Sequence, residues 1–356
     1  MATAVARAGR RCIQWATRAT RAIRVTWVTW LALVCLCHSP LASARTGDGD
    51  AQCPPAPIPF TDAERQAGEH APQDRGLLWR IEKDGRSSHL YATIHLARRE
   101  WAFPGPRVRA ALAASDRAAF ELDLLDPAVL ERLQRAARSR PGAARLPPQE
   151  ARQIAQAARQ ACVHGTLDGL RPELQVVTLV SLALRRGGLD PAWGIDGVLM
   201  QRAQALGVPT VSLETPELQM ALLVHDTPGA TLAAVRQGLA ELDSATARAV
   251  AQRMVEGWAE GRLADLEDFA SWCACQEHEA DRIQHRATVD ARNPAMADRI
   301  AALHARGHTV FAAVGALHML GPEGLPQLMA RRGFRVEAVP LVPLVPVPPR
   351  LPHERQ

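Results

Sequence analysis

The chain has 356 residues, 47% of them hydrophobic, which is enough for a buried core and excludes a mostly disordered protein. Its net charge of +5 arises in the first 44 residues, which carry six arginines and no acid; the rest holds 36 basic against 37 acidic side chains. That balance offers no basic face for phosphates and argues against nucleic-acid binding, while 4% aromatics and 26 prolines argue against an all-β sandwich.

Met1 to Arg24 reads as a basic leader, followed by an apolar run of 13 residues, Val25 to Cys37. A membrane-spanning helix needs about 20 residues, so this run reads as the core of a signal peptide. Pro40 and Ala42-x-Ala44 predict cleavage after Ala44, and hence a periplasmic or secreted protein. The competing expectation is an uncleaved N-terminal anchor, the one membrane attachment this sequence suggests. Four cysteines then remain, Cys53, Cys162, Cys273 and Cys275. In an oxidising compartment they allow two bridges in any of three pairings, a bridge from Cys162 to Cys273 or Cys275 among them. Free buried thiols are the alternative.

Residues 45–75, rich in Pro, Gly, Asp and Gln, read as a flexible leader arm. A strand pair is predicted over Leu77–Glu82 and His89–Ile94, joined by Asp84-Gly85. Arg107–Ser115 reads as a helix and Ala118–Leu122 as a strand. From Pro127 to Met220 the pattern is helical, interrupted by a short strand at Thr210–Leu213, and it is helical again from Pro228 to His304 with breaks near Gly257, Gly261 and Pro294. Thr309–Val314 reads as a buried strand, Pro322–Arg332 as a helix and Phe334–Val339 as the last strand. Pro340 to Pro352 is too proline-rich for a helix or central strand and reads as an extended tail over 340–356. The expected fold is α/β (α+β): one domain, 76–339, whose central mixed sheet is formed by its two ends and carries a large helical insertion.

His95 and His318 each follow an apolar strand, in the similar segments His89–His95 and Ala312–His318. Glu121 and Glu214 close apolar runs, where an acid must be paired, hydrogen-bonded or bound to a cation. Two imidazoles and two carboxylates suit a divalent ion that activates water. Plainer roles compete with each assignment. A strand-end histidine can be structural, Glu121 can pair with an arginine, and Glu214 precedes Thr215-Pro216-Glu217, a helix-start signature. Arg292-Asn293 can bind an anion or cap the next helix, and capping is the commoner role. His278 and His285 read as a solvated helix face.

Together these motifs resemble the TraB/PrgY/GumN family. The resemblance runs through Leu78–Ile81 with Leu90–His95, Gly194-Ile-Asp-Gly197, Gly207-Val-Pro209, Leu213-Glu-Thr215, Arg292-Asn293, Gly315-Ala-Leu-His318 and Gly333–Val336, in order over about 76–339. It implies an exported metal-dependent hydrolase of a peptide or small acyl substrate, akin to the Tiki metalloproteases and similar to erythromycin-esterase-like and haem-binding ChaN-like proteins. By the same resemblance His95 and His318 ligate Mn, Zn or Co, and Glu121, Glu214, Arg292 and Asn293 complete the site. The alternative it carries is a non-catalytic periplasmic binder of haem, metal or a polypeptide. The first motif departs from the family pattern, with Ala92 where a glycine is expected.

Overall fold

The computed structural model describes residues 53–273 and 275–341. The predicted leader peptide and its cleavage site, and the tail beyond Leu341, lie outside the described residues.

Six strands form one mixed sheet: β1 (Leu78–Lys83), β2 (Arg86–Thr93), β3 (Arg117–Phe120), β4 (Thr210–Ser212), β5 (Val310–Gly315) and β6 (Arg335–Ala338). Their order is β4-β3-β5-β2-β1-β6. The predicted hairpin is β1–β2, antiparallel from Leu78↔Tyr91 to Lys83↔Arg86, and β6 adds antiparallel to its outer edge. On the other side β2, β5, β3 and β4 run parallel. All six residues of β5 are buried, as expected for the middle of a parallel sheet covered on both faces.

The principal core comprises Leu90, Phe120, Phe311 and Val314 from the sheet, with Leu199, Trp258 and Ile300 from helices that cover it. The insertion between β3 and β5 builds a second core from Leu133, Leu174, Leu179 and Val235. A helical layer with its own apolar centre can hold its shape beside the sheet.

Two expectations are corrected. The leader arm contains a helix, Asp62–His70, because Thr61 and Glu64 form a reciprocal capping box and Arg99 donates to both Glu64 oxygens at 2.9 Å. The cysteines pair as Cys53–Cys162 and Cys273–Cys275, so Cys162 is bridged to the arm and not to the Cys273/Cys275 pair, and none of the four is a free thiol. The break expected near Gly257 and Gly261 falls between the helices Ala245–Ala259 and Leu263–Glu267. Among the described residues no helix is long and apolar enough to cross a membrane.

Candidate active site

The four parallel strands end on one side of the sheet, and each delivers one candidate side chain there. His95 lies two residues past β2, Glu121 directly follows β3, Glu214 follows β4, and His318 sits in the short 3-10 turn Ala316–Met319 after β5. The ladder continues beyond β3 and β4: Leu213 N donates to the Phe120 carbonyl at 2.7 Å and Glu214 N to the Glu121 carbonyl at 2.9 Å. This extra pairing sets the two glutamates side by side. Carboxyl ends of parallel strands are where open α/β sheets form their clefts.

Arg292 binds both glutamates from the opposite wall. Its Nε donates to Glu214 Oε1 at 2.8 Å and its Nη2 to Glu121 Oε2 at 2.7 Å and to Glu214 Oε2. Nη1 donates to the Thr288 carbonyl at 2.9 Å, a group turned inward by the π-helical stretch Arg286–Asp290. Gln219 Nε2 bridges the same carboxylates, 3.0 Å from Glu214 Oε2 and 3.2 Å from Glu121 Oε2. All three charged side chains are under 8% exposed. A buried cation among two buried anions is tolerated because nearly every donor and acceptor is matched. Burial would raise the Glu121 carboxyl, but Arg292, His318 and His95 together hold it at about 2. Burial likewise opposes the charge on Arg292, yet its bonds to Glu214 and Glu121 raise its pKa above the ordinary arginine value.

Both imidazoles are tied back through Nδ1. His95 Nδ1 lies 2.7 Å from Asp196 Oδ2, and Thr93 Oγ1 donates to Asp196 Oδ1. Burial lowers the His95 imidazole, but the Asp196 charge and hydrogen bond, aided by Glu121, outweigh it and raise the pKa to about 9. His318 Nδ1 lies 2.5 Å from Asn293 Oδ1, while Asn293 Nδ2 donates to the Glu323 carbonyl at 2.8 Å. With its Oδ1 end toward the ring, Asn293 can only accept, so Nδ1 carries the proton and Nε2 keeps its lone pair. Burial pushes His318 down to about 3; Glu121 pulls the other way, and the Arg292 and His95 charges add to the fall.

The histidines meet at Gly315. A β-carbon on that residue would stand 3.1 Å from Glu121 Oε1, 3.5 Å from His95 Nε2 and 3.7 Å from His318 Cδ2. Gly315 N donates to Glu121 Oε1 at 2.9 Å. A side chain there would press on the Glu121 carboxylate and reach both rings, so a glycine fits this point best. These groups line a pocket of about 90 Å³ walled by Met254, Val255 and Leu317. Two histidines more than two hundred residues apart therefore share one site with Glu121 and Arg292.

A model of the TraB/PrgY/gumN family matches residues 77–338, most of the chain and the whole of this sheet. The chain belongs to the TraB/PrgY/gumN family. No curated protein and no solved structure matches it.

In this TraB/PrgY/gumN protein the Ala92 departure is absorbed locally. Ala92 has an ordinary negative φ, its side chain is buried, and its carbonyl accepts from Trp258 Nε1 at 2.8 Å. The capping role expected of Arg292-Asn293 is overturned, since neither side chain caps the helix Asn293–Ala305. Arg292 is turned onto the glutamates and Asn293 onto His318. Thr215 does cap the helix Pro216–Leu223, accepting from Leu218 N at 3.2 Å, which leaves the preceding Glu214 to Arg292.

Sequence reasoning assigned no role to Asp196, Thr93 or Gln219. For Asp196 a signal existed: Gly194-Ile-Asp-Gly197 was recognised as a motif. A β-carbon on Gly194 would lie 2.7 Å from the His95 carbonyl, so the motif lets this helix start press against the His95 loop. Gln219 gives no such signal, being an ordinary polar residue inside a helix.

Two outcomes follow at this point. Gly315→Ala should destabilise the protein by about 1–3 kcal/mol in urea unfolding, through overpacking against Glu121 and His95. An unchanged midpoint would mean that the pocket is looser than its distances imply. The raised His95 pKa stabilises the fold below its ordinary value of 6.5, and this stability is lost as pH rises through about 9. Asp196→Asn should abolish that decline and drop the His95 pKa, read by NMR titration of the ring. A ring that titrates unchanged in the variant would remove Asp196 as the cause.

Proposed function

We propose that this protein is an exported hydrolase of a peptide or other acyl bond, acting at the pocket shared by His95, Glu121 and His318. The observation that carries this reading is that both imidazoles are anchored at Nδ1 and converge on Gly315 beside a carboxylate. Catalytic and metal-binding histidines are oriented by a second group in this way. Export is supported by the arginine-rich start, the apolar run Val25 to Cys37 and Ala42-x-Ala44.

The reading includes a divalent cation, Mn, Zn or Co, and the donor set fits one in part. His318 Nε2 keeps a lone pair to hold it, and His95 Nε2 would join once its proton is displaced. Both oxygens of Glu214 and Oε2 of Glu121 are committed to Arg292 and Gln219, which leaves Glu121 Oε1 as the carboxylate oxygen with capacity to spare. Among the described residues no group of three or more His, Cys, Asp or Glu side chains is placed to hold a metal. A cation bound by the two histidines would polarise the acyl carbonyl and acidify water. The protein itself fixes Glu121 through Arg292 and Gly315, orients His95 through Asp196 and His318 through Asn293, and shields the reaction with Met254, Val255 and Leu317.

A second version needs no ion and is favoured by the opposed shifts of the histidines, His95 to about 9 and His318 to about 3. Environments that push two pKa values apart assign an acid and a base. Neutral His318 Nε2 would take a proton from water as its oxygen bonds to the acyl carbon. His95 would give its proton to the leaving amine or alcohol as the acyl bond breaks.

The test is cleavage of a fluorogenic peptide library and p-nitrophenyl esters by the purified protein, after chelation and with added Mn, Zn or Co. Turnover restored by one metal supports the first version, and turnover indifferent to chelation supports the second. No cleavage under any condition would leave a binding protein and sink both.

A further inference from the structure

We propose that the wall of the catalytic pocket selects a short, uncharged, apolar acyl group, and that Met254 and Val255 set its length. This deepens the hydrolase reading, on which it rests, by naming the class of substrate. Most of the pocket's wall is apolar. Ile94 and Leu96 come from the loop after β2, Met254 and Val255 from the helix Ala245–Ala259, Val289 from the π-helical stretch and Leu317 from the 3-10 turn after β5. Ile94, Leu96, Met254 and Val255 also belong to the principal core, so packing from behind fixes where they stand.

The polar lining has little left to offer a substrate. Thr93 Oγ1 donates to Asp196 Oδ1, and Thr288 Oγ1 donates back to the Gln284 carbonyl at 2.7 Å. Every nitrogen of Arg292 already donates, to Glu214, Glu121 or the Thr288 carbonyl. Glu121 Oε2 is taken by Arg292 and Gln219. Glu121 Oε1, the carboxylate oxygen with capacity to spare, accepts from Gly315 N and stands with His95 Nε2 around Gly315, at the end where the bond would break. A charged or hydroxyl-bearing acyl chain would therefore shed its water and find no partner along the wall, whereas an apolar chain loses nothing there.

The size of the pocket limits the chain. It measures about 90 Å³. An apolar cavity of roughly 150 Å³ holds one benzene ring, so this volume suits an acyl group of about four carbons or fewer. Met254 and Val255 are neighbours on one helix and both are buried, so a longer chain must displace packed side chains.

The experiment compares kcat/KM for the p-nitrophenyl esters of acetate, butyrate, hexanoate and octanoate, and for p-nitrophenyl hydrogen succinate, whose four carbons end in a carboxylate. Hexanoate should be at least about tenfold slower than butyrate, the discrimination expected of a methylene that does not fit. Hydrogen succinate should also be at least about tenfold slower than butyrate. Met254→Ala and Val255→Ala should each raise hexanoate relative to butyrate by about tenfold. Thermal melting shows which variants fold, and the wild-type length profile needs neither of them. Turnover that climbs steadily to octanoate, equal turnover of butyrate and hydrogen succinate, or a length limit unmoved in every folded variant overturns the proposal. If no ester turns over, butyramide and hexanamide are titrated instead, with the His95 and His318 rings read by NMR. Butyramide shifting the rings while hexanamide leaves them in place keeps the acyl slot and removes the hydrolase. Both amides acting alike, or neither acting, sinks the slot as well.

Discussion

Arg292→Met should cost about 3–5 kcal/mol of stability, since it strands two buried carboxylates that share one counter-charge. The guanidinium reaches Glu121, Glu214 and the Thr288 carbonyl at once, and methionine replaces none of those donors. Urea unfolding at neutral pH gives the number. The pH dependence gives the cause. In the wild type Glu121 is held at about 2 against an ordinary 4.5, so its contribution is present above 4.5 and is lost as pH falls toward 2. Without Arg292 the Glu121 carboxylate should resist ionisation, and mild acid should narrow the gap between variant and wild type. The triple change Glu121→Gln, Glu214→Gln, Arg292→Met should recover part of the loss, because breaking a buried ion cluster costs more than replacing it whole. A loss below about 1 kcal/mol in Arg292→Met would show that the cluster is solvated and not a true interior charge network.

His95→Ala and His318→Ala should each lower kcat on any substrate found by about 10²–10⁴-fold, the range for removing a proton-transferring group. His318→Ala also leaves Asn293 Oδ1 without its donor, at a cost of about 1–3 kcal/mol, so melting curves must accompany the kinetics. Asn293→Ala separates the two effects. It keeps the imidazole and frees its tautomer, so kcat should fall less than in His318→Ala. Both histidine variants retaining activity within about tenfold, while folded, would place the chemistry outside this pocket.

The sheet was largely legible in the sequence because its strands are apolar runs bounded by turn residues, and Asp84-Gly85 marks the hairpin. The strand boundaries shift by one to three residues, as at β2, which begins at Arg86 and not at His89. The polar start of that strand faces the hairpin turn and has no apolar alternation to reveal it. Glu121 and Glu214 could be picked out because an acid after a buried run needs a partner, but the partner could not. Arg292 lies 171 residues from Glu121, in a stretch whose local pattern allowed an anion site but favoured a helix cap and pointed to neither glutamate. Asp196 stands in a visible motif, but its pairing with His95 was not legible, since an acid in the first turn of a helix has a sufficient local explanation in the helix dipole. The arm helix Asp62–His70 was missed because nothing in it is buried, so it carries no hydrophobic period.

The position of β5 has a consequence for how the protein comes into being. It lies between β2 and β3, and through Gly315 and His318 it supplies one wall of the pocket. A nascent chain that ends before residue 310 has two strands waiting for their common neighbour and lacks Gly315 and His318. Pairing His89 with Phe311 closes a very long loop, which makes assembly slow and late. The pocket therefore cannot close until the chain has been made past His318, and a ribosome that stalls earlier releases a fragment in which His95 and Glu121 face no partner wall.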